Sequence, residues 1–167
     1  MSGLDLPLPG LPPRDPAGHK GTFGTVTVVG GCAMEASRMF GAPALAARAA
    51  LRSGCGLATL LVPAPVLDRT IALTPSATGR ALPVDENGDV VAHAAAAVFD
   101  EAVESAGAIV IGPGFGPGDG ARSIVLRAMF QAETPVVLDA DGLNLLAGLI
   151  DFARDSHAAA VLTPHPG

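Results

Sequence analysis

From Thr25 onward, short apolar runs alternate with longer stretches rich in alanine and leucine. Residues 25–30 (TVTVVG) are largely β-branched and stop at Gly30 and Gly31, which predicts a strand. Residues 42–53 (APALAARAALRS) predict a helix. Pro43 stands in its first turn, where a missing N–H costs little, and Gly54 marks its stop. A second strand is expected over 57–62 (LATLLV), ended by Pro63, then a short helix over 64–73. Residues 74–89 look like loop, with a turn at Glu86-Asn87-Gly88-Asp89. The pattern then predicts a helix over 91–105, a strand over 107–111 (GAIVI) and the glycine-rich GPGFGPGDG. A helix over 121–132, a strand over 135–138, a helix over 142–150 and a strand over 159–163 complete the chain.

Five apolar strands alternating with helices indicate an α/β fold, with a mainly parallel sheet covered on both faces. Right-handed crossovers then bring every strand's C-terminal end to one edge of that sheet. Residues 1–18 stand apart, because Pro7, Pro9, Pro12, Pro13 and Pro16 resist both helix and ladder. They predict an extended arm outside the core, with the domain running over 19–167.

Composition sharpens this picture. A chain of 167 residues, 49% hydrophobic and 16% charged, has the makings of one domain with a real core. With six Phe and no Trp or Tyr, alanine, valine and leucine must fill that core, which suits helices packed tightly on a parallel sheet. The net charge of -6, without a basic cluster, argues against nucleic acid as a partner. Cys32 and Cys55 match no zinc spacing and are expected as free thiols in a reducing compartment. No apolar stretch approaches a membrane span and no signal-type leader is evident, so a soluble cytoplasmic protein is expected.

The chemistry-bearing residues fall at the strand ends. Gly30-Gly31-Cys32 follows the first strand and Gly112-Pro113-Gly114-Phe115-Gly116 follows the third. Asp139-Ala140-Asp141-Gly142-Leu143-Asn144 follows the fourth, and Thr163-Pro164-His165-Pro166-Gly167 the fifth. Open α/β sheets bind ligands in the crevice beyond that edge. The glycine segment is not a P-loop, because no Gly-Lys-Ser/Thr follows, nor a dinucleotide fingerprint, because Pro117 stands where the third glycine belongs. Asp139 and Asp141 suit either Mg²⁺ held through water or substrate hydroxyls, with capping of the next helix as the alternative for Asp141. His165, fixed between two prolines, is a candidate ligand-binding side chain, and Lys20 is a candidate phosphate contact.

Taken in order, His19-Lys20-Gly21-Thr22-Phe23-Gly24 with VTVVGG resembles the opening of the NAD(P)H-hydrate dehydratases. So do Gly41-Ala42-Pro43 with LAARAALRSGCGLATL, VIGPGFG at 110–116, VVLDADGLNLLA at 136–147 and LTPHPG at 162–167. The resemblance implies a ribokinase-like three-layer sandwich, represented here by its N-terminal part. It implies a hydro-lyase that repairs the S form of hydrated NADH and NADPH. ADP or ATP, with Mg²⁺, phosphorylates the added ring hydroxyl, which then leaves as phosphate. It places Ala42, Gly116 and His165 at the hydrate, with Lys20, Gly114, Asp139, Asp141 and Asn144 as further candidates for the site lining.

Two departures stand out. The Cys32–Phe40 loop is longer than the family's and lacks its usual tyrosine. The family's Gly-Thr-Gly-Asp motif, with its catalytic aspartate, has no match up to Gly167. The expectation is therefore a substrate-side chain completed by a C-terminal half or partner subunit, in a homo-oligomer. Two other readings stay open: a ribokinase-like kinase of a vitamin precursor alcohol, and a non-catalytic nucleotide-binding remnant.

Overall fold

A computed structural model describes Gly10 and residues 13–150 and 152–165. Its strands are β1 (Thr25–Val29), β2 (Leu57–Pro63), β3 (Thr78–Leu82), β4 (Ala108–Ile111), β5 (Val136–Asp139) and β6 (Ala160–Thr163). The helices are α1 (Gly41–Ser53), α2 (Leu67–Leu73), α3 (Ala92–Val103), α4 (Asp119–Phe130), α5 (Asp141–Leu146) and α6 (Phe152–Asp155). The strands form one sheet in the order β3-β2-β1-β4-β5-β6, every pairing parallel.

Strand alternation divides the core into two layers, because successive side chains leave opposite faces of a strand. Val28, Leu60 and Val62 pack with Ala47 of α1 and the α2 region on one face. Val29, Leu61, Ile109, Ile111 and Leu138 pack with α3, α4 and α5 on the other. The expected three-layer α/β sandwich is thus present. Small alanines at the helix contacts, Ala47, Ala95 and Ala128, are all fully buried and let the helices sit close to the sheet.

The expected loop over 74–89 is corrected, because it contains a sixth strand, β3. Its sequence, TGRAL, carries little apolar signal because, among the described residues, it pairs only with β2 at the sheet margin. Only Leu82 is buried; Arg80 bridges to Glu101 at 2.7 Å, and Thr78 shares a hydroxyl hydrogen bond with Thr59. The helix expected over 142–150 is shorter, closing at Leu146. Beyond it the Leu149 N–H bonds back three residues to the Leu146 carbonyl, tightening the chain into a turn ahead of Gly148's successor segment.

Helix α4 starts two residues earlier than its apolar pattern suggests and stops at Phe130. The Gln131 side chain holds the stop, donating to the Ala128 and Thr134 carbonyls and accepting from the Thr134 N–H. Of the proline-rich arm, residues 1–9, 11 and 12 lie outside the described residues. Its last part is tied down: the Arg14 guanidinium donates to the Gly54 carbonyl at 2.8 Å and lies 3.8 Å over the Phe23 ring.

Candidate functional site

The strand order reverses between β1 and β4. From β1 the chain winds outward through β2 and β3, then returns to place β4 on the other side of β1. Loops leaving two such strands diverge to opposite faces and open a crevice between them. Here they are stitched at the base, since the Gly112 N–H donates to the Val29 carbonyl and the Gly31 N–H to the Pro113 carbonyl, both at 3.0 Å. After β1, residues Cys32 and Met39 pair antiparallel and close a small hairpin. A 3-10 turn over Glu35–Ser37 at its tip brings Ser37 Oγ within 3.4 Å of the buried Cys32 Sγ.

The glycine segment after β4 lies against this hairpin. Gly116 has φ +79, and a Cβ there would stand 2.7 Å from Cys32 Sγ. Both the backbone shape and the close approach therefore call for glycine. Its N–H donates to Asp141 Oδ2 at 2.9 Å, fastening the segment to the start of α5. Phe115, 2% exposed, drives its ring into the core beneath.

The third wall comes from the β5–α5 junction. Ala140 has φ 44 and ψ -116, the one non-glycine residue with positive φ among those described. Such backbone is costly for a residue with a Cβ and collects at ligand sites. It turns the two flanking aspartates apart. Asp139 Oδ1 accepts the Thr163 hydroxyl at 2.6 Å, locking β5 to β6, while Asp141 faces the glycine segment. The capping alternative for Asp141 is not realised, since it is the first residue of α5 and makes no side-chain cap bond. Asn144 Nδ2 reaches its other oxygen at 3.4 Å.

Together these elements enclose a cleft of about 370 Å³ lined by Ser37, Gly116, Pro117, Arg122, Asp141, Asn144 and Leu145. Larger grooves, of about 490 and 460 Å³, run beside α3 and α4 and beside α1 and α2. They lie on outer helix surfaces and contain none of the residues that the strand-end pattern singles out. The smaller cleft is where the chemistry gathers.

Of the residues singled out from sequence, Gly116, Asp141 and Asn144 meet in this cleft. Gly114 lies on the same segment but packs against the Met39 side chain. Asp139 is committed to Thr163. Ala42, in the first turn of α1, and the exposed His165, just past β6, share the edge without lining the cleft. Lys20 stands elsewhere: its carbonyl packs on Gly56, at the start of β2 and so at the opposite edge of the sheet. The stretch before β1 runs along the strand starts, which takes Lys20 away from the crevice.

Sequence reasoning missed Ser37, Pro117, Arg122 and Leu145. The long Cys32–Phe40 loop was a signal for Ser37; Arg122 reads only as one more polar position on a helix.

The two strand-end carboxylates are already engaged by Thr163, Gly116 and Asn144. Among the described residues no three His, Cys, Asp or Glu side chains come together as a metal cage. The residues here thus form no all-protein metal cage, and a Mg²⁺ held mainly by water and phosphate oxygens needs none. Cys32 and Cys55 are both free, as expected, and burial pushes the Cys55 thiol pKa up. No helix among the described residues is long and apolar enough to cross a membrane.

Removing the Asp141 carboxylate tests the tie across the cleft. Asp141→Ala should lower stability by about 1–2 kcal/mol, since a hydrogen bond to a charged group is lost at a half-buried site. Asp141→Asn keeps an acceptor for the Gly116 N–H and should lose less. Urea unfolding of the two variants reads the difference; equal losses would show that the tie contributes nothing.

A doubly wound parallel sheet with a glycine-lined crevice at its switch point defines an α/β domain of the kind that binds ligands at that crevice. Its architecture is that of the ribokinase-like proteins: one from Enterococcus faecalis superposes with a TM-score of 0.71 at 23% identity, over 92% of this chain and 49% of that one. The chain belongs to the NAD(P)H-hydrate dehydratase family, whose sequence model matches residues 26–167.

A relative in Salinibacter ruber, the bifunctional NAD(P)H-hydrate repair enzyme Nnr, is 40% identical over 157 residues, covering 93% of this chain and 28% of the relative. The ADP/ATP-dependent NAD(P)H-hydrate dehydratase of Bacillus subtilis, co-crystallised with ATP/Mg²⁺, is 28% identical with a TM-score of 0.58, over 80% of this chain and 43% of that one. The chain spans less than a third of the length of the curated relatives it matches.

Proposed function

We propose that this chain supplies the hydrate-binding side of an ADP/ATP-dependent dehydratase that returns (S)-NAD(P)H hydrate to NAD(P)H. The observation that carries the reading is the convergence of Gly116, Asp141 and Asn144 on one cleft at the switch point of a domain of this family. Gly116 forms part of the cleft wall, and its close packing on Cys32 sets the course of the backbone that the substrate meets. Asp141 and Asn144 hold that wall in shape and present polar atoms to a hydroxylated ring or ribose. Ala42 and His165, on the same edge, take the remainder of the substrate, with His165 as a hydrogen-bond partner. Such groups accelerate a reaction by positioning it.

Nucleotide and Mg²⁺ belong, in this reading, to a complementary part of the domain, which would supply the phosphoryl group that turns hydroxide into a better leaving group. The surface of β6 supports such a part. All four of its residues are exposed, with Val161 at 61% and Leu162 at 55%, and β5 is its only strand partner among the described residues. A bare apolar edge strand is a surface that proteins normally cover.

The test supplies hydrated NADH with ADP or ATP and follows the return of reduced-nicotinamide absorbance. It compares this chain alone with the chain continued into the complementary half. Turnover by the continued protein alone is the expected result. Nicotinamide-nucleotide binding by both without turnover by either would replace this reading with that of a binding protein. Phosphorylation of a hydroxymethyl heterocycle in preference to the hydrate would replace it with that of a kinase.

A further inference from the structure

The hydrate reading leaves one wall of the cleft unexplained. Arg122, on the first turn of α4, lines the cleft beside Gly116 and Pro117. Of the ten Lys and Arg side chains in the chain, it is the one that does so. Its guanidinium is only partly used. Nη1 pairs with Asp119 Oδ1 at 3.0 Å, one turn back on the same helix. Nε is buried and has no hydrogen-bond partner among the described residues, while the side chain as a whole is 43% exposed.

A buried donor without an acceptor is uncommon in a folded protein and marks a place where a partner belongs. The Asp119 pair does not compete strongly for the group. Asp119 is 89% exposed, and exposed ion pairs of this kind contribute little. The other anion of the cleft, Asp141, is turned to the Gly116 N–H and to Asn144. Arg122 is therefore a fork of donors with one weak partner and one orphaned nitrogen, on the wall of a cavity large enough for a nucleotide fragment.

We propose that Arg122 is the anion-recognition residue of this cleft and takes a phosphate group of the substrate dinucleotide, exchanging Asp119 for a phosphate oxygen and, as the side chain turns into the cleft, giving Nε an acceptor. The guanidinium fork suits this task because two of its N–H groups can meet two oxygens of one phosphate. The inference deepens the hydrate-binding reading and rests on it for the identity of the ligand. The phosphate chemistry rests on the cleft alone.

The experiment uses the full-length protein carrying this chain, unchanged and as Arg122→Gln and Arg122→Lys. Binding is titrated by reduced-nicotinamide fluorescence with four ligands: reduced nicotinamide riboside, its 5′-phosphate, NADH and NADPH. Inorganic pyrophosphate is titrated by calorimetry. Arg122→Gln should weaken the phosphate-bearing ligands by roughly ten- to a hundredfold and leave the riboside unchanged. Arg122→Lys should fall between, because it keeps the charge and loses the fork.

The ligand at which the loss first appears assigns the phosphate: the 5′-phosphate, the second phosphate of the diphosphate bridge, or the 2′-phosphate. An equal loss for the riboside would overturn the proposal, as a merely structural residue would behave that way. Unchanged affinities throughout would overturn it too. Pyrophosphate binding that vanishes in Arg122→Gln, in a protein blind to all four nicotinamide ligands, would keep the anion site and overturn the hydrate reading. Binding of none of the five ligands would overturn both.

Discussion

Gly112→Ala is expected to destabilise the protein by more than about 3 kcal/mol. Gly112 follows β4 with φ +113, where an alanine is strained whatever its surroundings. Its surroundings are also closed. A Cβ there would overlap the Asp139 carbonyl oxygen and stand 2.6 Å from the Gly142 nitrogen. Both are backbone atoms of the β5–α5 junction, so no side-chain rotation relieves the overlap. Either the glycine segment leaves β1, breaking the Gly112 N–H bond to Val29, or the junction carrying Asp139 and Asp141 moves. Gly148→Ala is the control, since no described residue lies within 4 Å of its Cβ position and it should change stability by less than about 0.5 kcal/mol. Chemical denaturation measures both, and similar midpoints for the two variants would contradict the close-approach argument.

Phe115→Ala should cost about 3–5 kcal/mol, the usual range for emptying a buried aromatic site. Phe115 belongs to the glycine segment yet is buried with Val29, Ile111 and Leu145 in the core layer under α4 and α5. The same ring therefore stabilises the fold and fixes Gly116, its neighbour in the chain, at the cleft. The loss should extend to ligand affinity, because a segment freed at Phe115 no longer holds the Gly116 N–H on Asp141. Phe115→Leu keeps most of the volume and should cost less than about 1.5 kcal/mol with affinity largely retained. Denaturation and ligand titration on both variants check this. Loss of stability with affinity intact would separate the core role of the ring from the site.

The two variants share a physical basis. The cleft is not built from one motif; it is the place where the loops after β1, β4 and β5 lean on one another. Ser37 reaches it from the first, Gly116 and Pro117 from the second, and Asp141 and Asn144 from the third. The hydrogen bonds between the loops are backbone to backbone, or backbone to a single carboxylate, so small changes at their crossing points act on all three.

Much of this was legible in the chain. TVTVV, AIVI and VVLD are apolar enough to declare buried strands, and Pro43 with Gly54 bounds α1 at both ends. Alternation of these elements dictates a parallel sheet. A parallel sheet in turn dictates that glycines, aspartates and His165 follow strands on one edge. Hydrophobic period and chain direction are local properties, so the sequence alone determined the fold class and placed the candidates Gly116, Asp141 and Asn144 together at one edge of the sheet.

The rest depended on partners distant in the chain. β3 is a strand because Thr78–Leu82 finds β2 beside it, and TGRAL carries no apolar signal that declares it in advance. Lys20 is remote from the cleft because its segment crosses the start of β2. Ala140 takes a backbone conformation that nothing in Asp-Ala-Asp requires. Arg122, one polar residue among others on α4, became a candidate only when the fold buried its Nε at the cleft wall. Sequence pattern records which face of an element is apolar. Which polar group is left without a partner is decided only when elements far apart in the chain close around it.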